Sequence, residues 1–374
     1  MEILIAGDYC PRYRVQDKLE QNDFPSVLGE VKVILSQVDY SILNFECPVV
    51  KRSILPIKKW GPNLKTNSAG IECVKWTGFD CVTLANNHFY DFGDEGVRET
   101  INACNDLEID YVGGGHNFNE ASQPLYKEIN SEVVAIINCC ENEFSIADIN
   151  HGGSNPLNPI RQYYAIKEAK EKAQYVIVIV HGGHEFFQYP SLRMVETYRF
   201  FIDAGADIVV NHHQHCFSGY EIYKGKPIYY GLGNFCFDWH PICINSNWNY
   251  GYMVIFSLSK NEISSRIIPY KQCSEHATVE ILPSDYFDKD LHTINTVIQS
   301  EKMLQETVNT FYNDTSYYWA HSILEPFNNK YYMAAAKRKI VPSLISEKRS
   351  LRAEDYICCE AHRDKLIYCL KNKI

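Results

Sequence analysis

Three histidines fall within four residues of the stretch VVNHHQHCF (209–217), directly after the mostly apolar run 206–210. Histidine, Asp, Glu and Asn offer the nitrogen and oxygen donors that hold divalent metals, and imidazole also moves protons near neutral pH. Alone, the stretch reads equally well as a metal site or as a polar turn. Four other apolar runs lead into the same residue types. EILIA (2–6) is followed by Gly7 and Asp8. YSILNF (40–45) carries Asn44 and leads to Glu46. CVTLA (81–85) leads to Asn86, Asn87, His88 and Asp91, and YVIVIV (175–180) to His181, His184 and Glu185.

These runs are short and rich in β-branched residues, and helical patterns separate them. Helices are predicted near 26–37, 68–77, 93–107, 160–173 and 192–204, with a further strand over 133–138. YVIVIV is unbroken, as a strand buried on both faces would be. Strand–helix alternation of this kind predicts an α/β layered core. In an open α/β sheet, ligands bind at the C-terminal edge of the strands. Five strands that each deliver a metal-ligand type of residue to that edge point jointly to a metal or phosphate site. Taken singly, an Asp after a strand reads as a cap or turn residue.

The donors are oxygens and nitrogens without an obvious thiolate, which suits zinc, manganese or iron better than a calcium cage. They exceed what one catalytic metal needs. A two-metal cluster, in which one carboxylate bridges both ions, would use them and could activate a water for displacement.

The remaining chain frames this edge. Of 374 residues, 45% are apolar and 22% charged, an ordinary balance for a globular protein. Hairpins are predicted over 219–231 and 251–270, which adds an antiparallel portion to the core. From about residue 283 the pattern becomes helical and polar, so the expected division is a core over 1–282 and a helical C-terminal region over 283–374. A formal charge of -10 argues against a nucleic-acid partner. No apolar run would span a bilayer, and the N-terminus lacks an export-signal pattern, so the fourteen cysteines are expected as reduced thiols in the cytoplasm. Cys139-Cys140 and Cys358-Cys359 are vicinal pairs, and no C-x-x-C pair suggests a zinc knuckle. The basic loop KKWGPNLKTN (58–67) offers Lys58, Lys59 and Lys65 as candidate contacts to an anionic substrate, against a plain reading as a solvated loop.

GDYCPR (7–12), NFECPV (44–49), LANNHFYDFG (84–93), HGGHEF (181–186), NHHQH (211–215) and GLGNFCFD (231–238) follow one another in this order. Together they resemble the CapA-type poly-γ-glutamate capsule-biosynthesis family, of the calcineurin-like metallophosphoesterase superfamily, over roughly residues 2–240. The resemblance implies a layered αββα core with mixed sheets and two divalent ions (Mn, Zn or Fe). By position it makes Asp8, Glu46, Asn87, His181, His213 and His215 metal ligands, with Glu46 bridging. It makes His88 the acid that protonates the leaving group and gives Asp91 a supporting role. Asn44, His184 and Glu185 stand as further supporting residues. His212 occupies a position that is usually small, and is expected to be non-ligating and tolerant of substitution.

The chain departs from the pattern at Cys10, where metallophosphoesterases carry a histidine. One metal position would then be weakly held, completed by Cys10 or Glu185. The implied function is a metal-dependent hydrolase that cleaves a phosphoester through a metal-bound hydroxide, in capsule or exopolymer biosynthesis. Its implied partners are an anionic small-molecule or polymer substrate and other capsule or polymer biosynthesis proteins. Two alternatives stand beside it. One is a poly-γ-glutamate biosynthesis component acting on an amide or glycan-linked substrate. The other is a non-catalytic binding protein with a degraded metal site, for which Cys10 is the argument.

Overall fold

The run YVIVIVH, Tyr175–His181, is buried along its whole length, as its unbroken β-branched sequence requires. It lies inside a six-stranded sheet in the order Tyr220–Tyr223, Lys226–Tyr229, Ile208–His212, Tyr175–His181, Glu132–Cys140 and Leu125–Ile129. The inner four strands run parallel and the two outer ones antiparallel to their neighbours. The structure is a computed structural model. It describes all residues except 52, 60, 261, 325–328, 343–344, 347–348, 352, 354–356 and 358–374. Trp60 of the basic loop, the Cys358-Cys359 pair and most of the last helical stretch lie outside the described residues.

A second sheet holds the N-terminal strands. Its order is Val279–Ile281, Ile263–Gln272, Tyr250–Leu258, Glu2–Tyr9, Tyr40–Phe45, Cys81–Thr83 and Asp110–Val112. The short strand Asn234–Cys236 pairs alongside the end of Glu2–Tyr9. From Glu2–Tyr9 through Asp110–Val112 the strands are parallel, and the hairpin 250–272 adds the antiparallel portion. Both sheets are therefore mixed, as expected.

The two sheets face each other. Tyr229 Oη lies 2.8 Å from Ser265 Oγ, and Ala85 N donates to Asn138 Oδ1 at 2.7 Å, each bond crossing from one sheet region to the other. On the outer side of the N-terminal sheet, Val15, Leu19, Leu28, Val31, Val74 and Val97 of the helices bury the apolar faces of Leu4, Leu43 and Val82. Pro159–Lys172 and Leu192–Ala204 cover the other sheet. The layers are thus helix, sheet, sheet, helix, the αββα arrangement.

The chain divides into two compact units, Met1–Leu304 and Gln305–Ile374. Helix Asp288–Gln299 packs against strand Tyr220–Tyr223 and so belongs with the sheets, although the sequence groups it with the C-terminal helices. Among the described residues no helix is long and apolar enough to cross a membrane.

Register then decides the site. Asp8 pairs with Asn44 and Asn44 with Thr83 at the C-terminal end of the first sheet. His212 pairs with His181 at the C-terminal end of the second. Gly7 permits the close approach that frames Asp8, since a Cβ there would stand 2.0 Å from the Gly233 carbonyl oxygen.

Candidate metal centre

The parallel strands of both sheets end at one place, and the donor side chains converge there. Asp8 is the penultimate residue of Glu2–Tyr9 and is 1% exposed. Its Oδ1 accepts from Asn44 Nδ2 at 2.6 Å and its Oδ2 from the His213 backbone N–H at 3.2 Å. Asn44 Oδ1 in turn accepts from Thr83 Oγ1 at 3.0 Å, which fixes the amide. Asn44 therefore positions Asp8 and also reaches His181 Nδ1, 3.2 Å away.

The turn after Ile208–His212 does the same for two histidines. His213 and His215 have φ of 92° and 56°, a left-handed backbone that non-glycine residues seldom adopt. Such strain persists only where surrounding contacts impose it, and it clusters at functional sites. Here it brings both rings to the sheet edge. His215 Nδ1 lies 2.9 Å from Asn234 Oδ1, and Asn234 Nδ2 donates to the His215 carbonyl at 3.1 Å. Asn234 thereby holds ring and backbone together. It sits in GLGNFCFD, a stretch noticed in the sequence without that asparagine being assigned a role.

Glu46 occupies the middle. It is fully buried, and neither carboxylate oxygen has a hydrogen-bond partner among the described residues. Its Oε1 lies 3.6 Å from His181 Nε2 and 3.7 Å from His215 Nε2. A buried carboxylate without a donor is costly, and native proteins rarely leave one so.

Two sets of donors share it. In the first, His181 Nε2 stands 3.1 Å from Asn87 Oδ1, 3.0 Å from His213 Nδ1 and 3.6 Å from Glu46 Oε1. Donors bound to a common ion at about 2.0–2.2 Å stand roughly 3.0–3.5 Å from one another. The second set is Asp8, Glu46 and His215, with donor atoms within 4.8 Å of one another. A third grouping, Glu185 with His213 and His215, reuses the same two histidines from an exposed side. The residues present thus fit divalent metal at this edge, with Glu46 common to a tight group of donors and a looser one.

The buried groups shift in both directions: His213, His181 and Asp8 toward their metal-binding forms, His215 and Glu46 toward their protonated ones. Burial pushes His213 down to about 3, helped by neighbouring His215, so its ring is uncharged at neutral pH. Burial likewise holds His181 well below the usual range, with His213 adding to the effect. His215 is raised. Burial alone would lower it, but its hydrogen bond to Asp8 and the Asp8 charge outweigh that. Asp8 is lowered because His215 and the other nearby histidines overcome its burial. Burial, followed by the Asp8 charge, pushes Glu46 well above the ordinary carboxylate range. One acid of the pair carries the charge and the other bears the penalty.

His88 and Asp91 form a separate dyad. His88 Nδ1 is 2.7 Å from Asp91 Oδ2. Asp91 also accepts from Leu64 N at 2.6 Å, and its backbone carbonyl accepts from Ile57 N at 2.9 Å and Asn63 Nδ2 at 3.2 Å. Lys59 pairs with Asp91 Oδ1, its Nζ 3.1 Å from His88 Nδ1 and its side chain only 3% exposed. Burial lowers His88; Asp91 opposes this and Lys59 reinforces it.

The other singled-out residues fall as follows. Of the three lysines, Lys59 reaches the site, Lys58 is exposed, and Lys65 lies over the Phe92 ring at 5.3 Å. Cys10 is fully buried in the apolar cluster that also holds Cys47, and joins none of the three donor sets. Glu185 does join one. His184 is half-buried and belongs to none. His212, the last strand residue, is 2% exposed, with both ring nitrogens unpartnered and Nδ1 3.6 Å from Asp8 Oδ1. Glu143 was not read from the sequence. Its Oε1 lies 3.9 Å from His213 Nε2, a proximity that no spacing pattern signals.

A family model described as "Bacterial capsule synthesis protein PGA_cap" matches residues 2–239. The chain is 32% identical over 246 residues to the capsule biosynthesis protein CapA of Bacillus anthracis, covering 64% of this chain and 60% of that protein. It is 32% identical over 236 residues to the PGA biosynthesis protein CapA of Bacillus subtilis (strain 168), covering 62% of each. The chain thus spans about three fifths of the length of these curated relatives. Among solved structures, a hypothetical protein from Thermus thermophilus superposes with a TM-score of 0.46 at 14% identity, over 76% of this chain and all of that one. A 5'-nucleotidase from Staphylococcus aureus, so named as putative in its description, gives a TM-score of 0.42 at 14% identity, over 79% and 58%.

Proposed function

The chain belongs to the bacterial capsule synthesis protein PGA_cap family, and from that premise we propose that it is a metal-dependent hydrolase that cleaves a phosphoester during capsule or exopolymer biosynthesis. The observation that carries the reading is Glu46, a buried carboxylate whose two oxygens lack donors and which stands between two sets of metal-ligating side chains. Asp8, Glu46 and His215 would hold one ion, and Glu46, Asn87, His181 and His213 the other. Zinc, manganese or iron suits these donors. A divalent pair bound there would supply Lewis-acid polarisation of the ester and would acidify an attacking water.

The chain's own groups do the rest. Asn44 and the His213 backbone N–H hold Asp8, so its carboxylate cannot swing away from the edge. Asn234 sets the His215 ring, leaving Nε2 on the side of Glu46. Asp91 holds the Nδ1 side of His88 and orients the ring; as the imidazolium, which the Asp91 carboxylate favours against burial and Lys59, His88 would pass its Nε2 proton to the departing oxygen. Lys59, spent on Asp91, keeps the 57–64 loop against this dyad. The described cysteines are all free thiols, which suits a reducing compartment, and we place the protein in the cytoplasm on that ground.

The test is metal analysis of purified protein together with turnover of an aryl phosphate in added Mn²⁺. Stoichiometric metal, with turnover abolished in Asp8→Ala and His213→Ala, is the expected result. A folded protein that takes up no metal under any condition refutes the reading, and metal without turnover of any phosphoester refutes its catalytic half.

A further inference from the structure

A groove of about 390 Å³ beside the metal centre has a lining that the hydrolase reading does not use. Its wall includes Gln188, Tyr189, Asn247, Tyr250, Tyr286 and Asp290. The volume lies within the range of small-ligand sites, ~300–1,000 Å³. The groove lies close to the centre along the chain, since Phe217 of its lining follows His215 by two residues. Trp248, next to Asn247, has its ring 4.9 Å from that of His215. Phe186, two residues before Gln188, is 55% exposed, has φ of 60° and stacks on Trp248 at 5.7 Å.

Two features define what the groove would take. The first is an exposed aromatic platform held rigid in advance. Tyr286 is 47% exposed, yet its ring is stacked on Tyr250 (6.1 Å, 16°) and braced edge-on by Phe287 (5.1 Å, 83°). A ring propped in this way loses little freedom when a ligand lies on it. The second feature is charge. Among the described residues no lysine, arginine or histidine lines the groove, and Asp290 is its one charged residue. Lys271, across the sheet from Tyr250, is paired with Glu275 at 2.7 Å. A polyanion would therefore meet Asp290 with no compensating cation. The remaining polar groups are side-chain amides. Asn247 Nδ2 donates to Gln188 Oε1 at 3.2 Å, and Gln188 Nε2 donates to the Phe217 carbonyl at 3.1 Å. The pair is thereby fixed, with the side-chain oxygen Oδ1 of Asn247 as a further acceptor.

An apolar ring face bounded by fixed amide and carboxylate acceptors matches an uncharged, hydroxyl-rich ring. Such a ligand offers C–H groups to Tyr286 and O–H donors to Asp290 and Asn247. We propose that this groove is a binding subsite for a neutral sugar unit of a glycan, positioned so that the adjoining part of the same chain reaches the histidine-lined centre. The subsite stands on binding alone and does not depend on whether that centre hydrolyses its substrate.

The experiment uses the full chain without added metal, titrated with three probes: tri-N-acetylchitotriose, maltotriose and an oligomer of γ-linked glutamate. Saturation-transfer NMR gives the binding epitope and calorimetry the affinity. At least one neutral trisaccharide is expected to bind. Tyr286→Ala should weaken it about tenfold, the loss of one aromatic platform. Asp290→Asn should weaken it less and melt with wild type, and Tyr286→Ala, which loses its ring contacts to Tyr250 and Phe287, should still unfold cooperatively within a few degrees of wild type. The proposal is overturned if neither trisaccharide binds, if Tyr286→Ala leaves their binding unchanged, or if the glutamate oligomer is the ligand that Tyr286→Ala weakens.

Discussion

Replacing Glu46 with glutamine should raise the stability of the metal-free protein and remove the stabilisation that metal confers. In the metal-free fold both Glu46 oxygens are buried without a donor. Each unsatisfied buried acceptor costs about 1–3 kcal/mol. Glutamine keeps the volume and one acceptor, but places an N–H₂ group toward ring nitrogens that now lie 3.6 and 3.7 Å from Oε1. Relief of one such penalty gives a gain of about 2 kcal/mol, or about 3 °C in Tm for a unit of this size. Wild type should behave in the opposite sense. With free metal at about 100 times Kd it gains about 2.7 kcal/mol, or roughly 4 °C, whereas the variant, lacking the shared carboxylate, gains far less.

The pH dependence has a definite sign. Burial raises Glu46 above its ordinary 4.5, so the folded state keeps a proton that the unfolded chain releases. On that account metal-free wild type loses stability as pH rises past 4.5, and the variant lacks this component. Scanning calorimetry with chelator and with Mn²⁺, at several pH values, reads all of these quantities. A variant that melts below wild type in chelator, or that keeps the full metal-dependent shift, refutes the assignment of Glu46 as the shared ligand.

Lys59→Met should cost about 3 kcal/mol in urea unfolding, because it strands buried Asp91, while Lys58→Met and Lys65→Met stay within about 0.5 kcal/mol. Asn234→Ala should weaken metal affinity about 10–100-fold by freeing the His215 ring, as read by chelator competition, with the melting curve of the metal-free protein showing that it still folds. His212→Ala should keep metal stoichiometry, since His212 joins no donor set. It should lose about 1–3 kcal/mol of stability, since the ring is buried rather than at a tolerant surface position. His213 is lowered to about 3 in the fold, so the unfolded chain takes up its proton first as pH falls; this group makes metal-free stability fall from about pH 6.5 toward 3, measurable by calorimetry in the same buffers without metal.

Much of the architecture is local and therefore readable in the chain. YSILNF and the helices 68–77 and 192–204 form with the bounds their patterns predict. The strand 206–210 shifts to Ile208–His212, a small change in register with a consequence. It places His212 inside the sheet and leaves His213 and His215 to the strained turn beyond it. Propensity points the wrong way here, because asparagine is depleted in strands, and only pairing with Tyr175–His181 carries the strand through Asn211 to His212.

From the sequence alone came the residue types, their order, and the fact that each follows a strand, because alternation and run length are written in neighbouring residues. That pattern gathers the strand-end donors at one edge; the resemblance to the CapA-type family is what selects Asp8, Glu46, Asn87, His181, His213 and His215 from among them. Only the folded chain decides how these donors divide. Two sheets meeting at their C-terminal edges leave Glu46 without a donor between two sets, place Cys10 in apolar packing and bring in Glu185. The choice of Lys59 over its neighbours also belongs to the fold. A loop without periodicity takes its conformation from distant partners, and here Asp91, with its contacts to Ile57, Lys59, Asn63 and Leu64, selects which lysine is buried.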